Sequence, residues 1–160
     1  MDAHQYFALA ETRARDAKDD PAGPNHAAIC RSAISRAYYA VFLLVRQLLD
    51  DLGLDTRRVP NPHATFEQAL SNSGVLTLQR LANTLRSLCA DRTTADYELR
   101  NTAVESDPKV ESVLATVEAA ILQLDIIRSG RLSPPLDRDA TPGAILKWAR
   151  ENSKPLWKKT

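Results

Sequence analysis

Apolar side chains recur at three- and four-residue intervals through most of this chain, with proline, glycine and small polar residues between the periodic stretches. That period matches one face of an α-helix and no strand. A first helix is predicted over Ala3 to Lys18, through Phe7, Ala10, Ala14 and Ala17. Asp20-Pro21-Ala22-Gly23-Pro24 breaks it, and Asn25 is a suitable cap for a second, long helix reaching about Leu52. The stripe of that helix is Ile34, Ala37, Tyr38, Val41, Leu44, Val45, Leu48 and Leu52, and Gly53 is placed to stop it. After a loop over 53–62, His63 to Leu70 reads as a short helix with Phe66 and Leu70 on one side. Ser71-Asn72-Ser73-Gly74 interrupts again. Val75 to about Arg92 then predicts a helix through Leu78, Leu81, Leu85, Leu88 and Cys89.

The polar stretch Asp91 to Asp107 reads as a connector with room for a helical turn, and Pro108 suits the first turn of a last long helix through Val110, Val113, Leu114, Val117, Ile121, Leu124 and Ile127. The expected fold is all-α: an up-and-down bundle of four main helices with a short extra helix over residues 1–130. Residues 131–160 form a basic tail, in which Thr141-Pro142 opens a short helix with Ile145 and Trp148. The sequence leaves open whether this helix packs on the body or on a partner.

Few aromatic residues (6%) and plentiful alanine and leucine mean that aliphatic packing must make the core. The net charge of +1 hides segregation, since residues 93–128 carry −4 and residues 129–160 carry +4. The cationic tail suits nucleic acid, an acidic partner or plain solubility. Asp2, His4, Glu11, Arg13 and Arg15 interrupt any leader-like apolar run. The most apolar stretch, Ala37 to Leu49, is too short to cross a bilayer, so a soluble, cytoplasmic protein without membrane partners is expected. Cys30 and Cys89 sit in apolar helical patterns and read as buried free thiols. The sequence reads as having no CxxC motif and no Cys/His cluster, so no metal site and no cofactor are expected.

Ile34-Ser35-Arg36-Ala37-Tyr38-Tyr39-Ala40-Val41-Phe42 resembles the long second helix of the HEPN family. The resemblance continues in His63 with Phe66, and in Arg92-Thr93-Thr94-Ala95-Asp96-Tyr97, which is similar to the Arg-x-x-Ala-Asp-Tyr segment of one HEPN subgroup. It covers residues 3 to 128. It implies a homodimer, or a complex with a minimal nucleotidyltransferase partner, in an RNA-directed or toxin–antitoxin setting. In many HEPN ribonucleases an arginine followed shortly by histidine cuts RNA without metal at the dimer cleft. Here the arginine is Arg92, but the position five residues on is Tyr97.

Metal-free RNA cleavage needs a base, an acid and a cation for the phosphorane charge. Arg92 suits the last task, whereas Asp96 and Tyr97 are weak substitutes for histidine. Binding of RNA or a partner would draw on Arg36, Tyr39 and Arg92, with Arg36 and Tyr39 three apart on one helix face. Two readings of Arg36 apply: it lines a dimer cleft with Arg92, or it pairs with Asp96 and clamps the connector to the bundle. His63, after Pro62, reads as a local structural residue, and His4 and His26 show no partner spacing.

Overall fold

In the computed structural model, residues 2–57, 59–152, 154 and 156–158 are described. The elements among them are α1 (Ala3–Asp19), α2 (His26–Asp51), β1 (Leu54–Asp55), α3 (Pro62–Ser71), α4 (Leu76–Tyr97), a 3₁₀ turn (Thr102–Val104), α5 (Asp107–Arg128), α6 (Ala140–Glu151) and β2 (Trp157–Lys158). The chain is helical almost throughout, as the periodicity predicts. The only strands among the described residues are one antiparallel pair of two residues each, with Leu54 opposite Lys158 and Asp55 opposite Trp157.

Two compact units divide the chain, one formed by Met1–Leu43 with Ser87–Ile121 and the other by Leu44–Arg86 with Leu122–Thr160. In the first unit, α1 starts on a capping box: Asp2 Oδ1 accepts from Gln5 N and Gln5 Oε1 accepts from Asp2 N, both at 2.9 Å. Its buried face is a run of alanines, Ala3, Ala10, Ala14 and Ala17, with Phe7 half-buried. Cys30, Ala33, Ile34, Ala37, Tyr38, Ala40 and Val41 of α2 are buried in this unit, with Leu88 and Ala95 of α4 and Val110, Val113 and Val117 of α5.

In the second unit, α3 packs on α6 and buries Thr65, Phe66, Ala69 and Leu70. α6 buries Thr141, Ile145 and Ala149. The segment expected as a tail beyond residue 130 therefore carries α6 and β2 and belongs to this unit. Gly53 ends α2 at φ +80°, a left-handed backbone that a residue with a Cβ adopts only at a cost.

Two expectations change. The stretch from Asp91 is not a connector from its start, because α4 continues to Tyr97. The reason is Arg31, buried to 8% exposure on α2. Its Nη1 donates to the Thr94 and Ala95 carbonyls at 2.9 and 3.0 Å, and its Nη2 to the Asn101 carbonyl at 2.8 Å. The Ala95 carbonyl is one that the end of a helix leaves without an intrahelical partner, whereas the Thr94 carbonyl also accepts from Glu98 N at 3.1 Å. Glu105 neutralises the guanidinium from 2.6 Å. The second change concerns α2, which at 26 residues is long and apolar enough to cross a membrane by composition. About two thirds (67%) of its most apolar window is nevertheless buried inside the protein, as in the core helix of a folded domain.

Candidate functional site

In the first unit, one turn of α2 meets the last two turns of α4. Arg92 and Asp96 are four apart on α4, which brings Arg92 Nε within 2.7 Å of Asp96 Oδ2. The Nε–H does not point along that contact, so it is an ion pair rather than a hydrogen bond. Arg92 Nη2 donates to the Tyr39 hydroxyl at 2.9 Å and to the Tyr97 hydroxyl at 3.2 Å. The guanidinium carbon lies 5.4 Å from the Tyr39 ring centre and 5.1 Å from that of Tyr97, so the cation is held by two aromatic rings. The Ser35 hydroxyl donates to Asp96 Oδ2 at 3.3 Å, and Tyr6 of α1 packs on Tyr39 with ring centres 5.9 Å apart. Burial acts to lower the Arg92 pKa, but Tyr39, Asp96 and Tyr97 outweigh it and hold the pKa above its ordinary value.

Of the residues singled out from sequence, Tyr39, Arg92, Asp96 and Tyr97 are brought together. Arg36 is not joined to them by any bond. The expected Arg36–Asp96 clamp is absent among the described residues, where Arg36 makes no hydrogen bond or ion pair and lies half-buried. Asp96 is instead engaged by Arg92 from its own helix and by Ser35 from α2. No histidine hydrogen-bonds Arg92, Asp96 or Tyr97 among the described residues. His63 lies near the start of α3 in the second unit, and His4 is exposed on α1.

The cluster has one outward edge. Tyr97 is 67% exposed and Leu99, just beyond the helix end, is 75% exposed. Arg92 Nη1 makes no hydrogen bond among the described residues and keeps donors for an incoming acceptor. Residues Tyr97, Glu98, Leu99, Arg100 and Asn101 line an open depression beside this edge. Chemically, the arrangement offers a fixed cation, an exposed aromatic ring and, in Arg100, a second arginine close in sequence. No protein-family model, curated protein or solved structure matches the chain.

A second cluster in the same unit was not foreseen. His26, the first residue of α2, has Nε2 3.0 Å from Oδ1 of Asp107, the first residue of α5. The Cys30 sulfur is 3.7 Å from His26 Nε2 and 4.0 Å from Asp107 Oδ1. Burial, then the carboxylates of Asp107 and Glu105, push the Cys30 thiol up. The four-residue step from His26 to Cys30, which puts both on one helix face, is the signal that sequence offered. Asp107 joins them only through the fold. Cys89 is half-buried rather than buried, beside Tyr38, whose hydroxyl is pushed above its ordinary range by burial and then by Cys89.

Proposed function

We propose that the chain is a HEPN-type helical module, an up-and-down bundle acting as a homodimer, that binds single-stranded RNA at the Arg92 cluster without cutting it. One observation carries this reading: Arg92 is held between the rings of Tyr39 and Tyr97 while Tyr97 remains 67% exposed. Unpaired bases stack on exposed aromatic faces, and arginine edges take phosphate oxygens. Arg100, which lines the depression beside the cluster's outward edge, and Arg36 of α2 carry charge without ion-pair partners among the described residues. The near-neutral chain favours a small contact over an extended nucleic-acid surface. Cleavage is disfavoured because Asp96 is engaged by Arg92 and Ser35, and no imidazole stands beside them to exchange protons.

Fluorescence anisotropy with labelled single-stranded RNA tests the reading, with Arg92→Ala and Tyr97→Ala beside the parent chain. Binding that weakens in both variants, over intact RNA in chelator, is the expected result. RNA cut by the parent and spared by Arg92→Ala would establish the metal-independent ribonuclease instead. Binding equal in all three proteins would dismiss the site.

A second reading places a protein, such as a nucleotidyltransferase, on the same edge. The observation favouring it is the adjacency of two large exposed apolar side chains, Tyr97 and Leu99. Co-purification that is lost in Leu99→Glu but kept in Arg92→Ala would select it.

A further inference from the structure

We propose that His26, Cys30 and Asp107 form a zinc site at the meeting of the α2 and α5 N-termini, with an open fourth position. The three donor atoms already stand at coordination spacing, with edges of 3.0 Å for nitrogen to oxygen, 3.7 Å for nitrogen to sulfur and 4.0 Å for sulfur to oxygen. Ligands bound tetrahedrally at about 2.0–2.3 Å stand roughly 3.3–3.6 Å from one another, so no edge needs to change by more than about 0.4 Å.

The ligand types select the metal. A thiolate and an imidazole prefer zinc and similar late divalent ions over magnesium or calcium, and one carboxylate completes a neutral set. Cys30 is fully buried, whereas the side chains of His26 and Asp107 keep 17% and 29% exposure. The site is thus closed on the sulfur side and open to water on the other, as a three-ligand zinc site requires. Two helix N-termini oppose a bare cation, and the charges of Asp107 and the Cys30 thiolate offset them. Binding displaces the Cys30 proton to solvent, while His26 coordinates through unprotonated Nε2 and keeps its proton on Nδ1. The loop before Asp107 is fixed by Glu105, which is tied to Arg31. This inference is independent of the RNA reading, since none of its ligands contacts the Arg92 cluster through a hydrogen bond or ion pair among the described residues.

The test uses the full chain freed of metal by chelator and titrated with cobalt as a spectroscopic substitute. One equivalent is expected to give a thiolate-to-cobalt charge-transfer band, which zinc then bleaches. Cys89→Ser should keep the band and Cys30→Ser should lose it. Asp107→Asn, which leaves the buried sulfur in place, should weaken zinc by roughly 10–100-fold or more in competition with a chromogenic chelator. Circular dichroism of each variant separates ligand loss from unfolding. A parent chain without the band, or a band that survives Cys30→Ser, or one lost in a folded Cys89→Ser protein, would overturn the site.

Discussion

Arg31 Nη2 donates to the carbonyl of Asn101 at 2.8 Å, joining residues 70 positions apart. With the bonds to Thr94, Ala95 and Glu105, one buried side chain holds both the last turn of α4 and the turn that leads into α5. Truncation would take the Arg31 donors from these carbonyls and leave the Glu105 charge without its partner. Arg31→Ala is therefore expected to destabilise the protein by roughly 3–5 kcal/mol. Urea unfolding measures this, and Arg31→Lys should recover little of the loss because a point charge cannot reach carbonyls on several sides.

The contribution of Tyr97 to RNA binding should separate by atom. Tyr97→Phe keeps the ring and drops the hydroxyl that Arg92 contacts at 3.2 Å, so binding is expected to fall only slightly. Tyr97→Ala removes the stacking face and should cost about 1–3 kcal/mol of affinity. Anisotropy titrations of both variants decide it; equal losses would point to the hydroxyl rather than the ring.

The start of α6 should depend on acid. Hydrogen bonds from the Ala140 and then the Asp139 backbone N–H hold the Asp137 carboxyl below its ordinary value of 3.8. A carboxylate with a depressed folded pKa contributes stability above its unfolded pKa, and that contribution is lost as pH falls through the folded value. Amide exchange at Asp139 and Ala140 is expected to speed up below pH 3.8, beyond its intrinsic pH dependence, in the parent and to lose this extra step in Asp137→Asn.

The two thiols should react in order. Cys30 is fully buried and its thiol is pushed up by burial and by Asp107, whereas Cys89 is half-buried. A disulfide reagent is expected to modify Cys89 in the native chain and Cys30 only on opening of the first unit. Mass spectrometry of cleaved fragments at early times checks the order.

The helix plan was legible because it is a local matter. The α2 stripe from Ile34 to Leu52, the break at Asp20–Pro24 and the stop at Gly53 depend on neighbours a turn away. Arg92, Asp96 and Tyr97 stood out together by their resemblance to a HEPN subgroup segment, whereas the pairing of Arg92 with Asp96 was not read from the sequence. What escaped depends on residues far apart in sequence. α4 runs past Arg92 because Arg31, on another helix, satisfies its carbonyls, and no pattern within 91–107 carries that information. Arg36 was the plausible partner of Asp96 on charge alone, yet helical spacing gave Arg92 the shorter reach. Asp107 stands 81 positions from His26, so the second cluster became visible only with the fold.

The pairing of Leu54 with Lys158 has a temporal side. A ribosome delivers α2 and β1 long before β2, and α3 long before the α6 that covers it. β1 therefore stays without its strand partner until residue 158 has left the exit tunnel, and α3 without its α6 neighbour until residue 151 has.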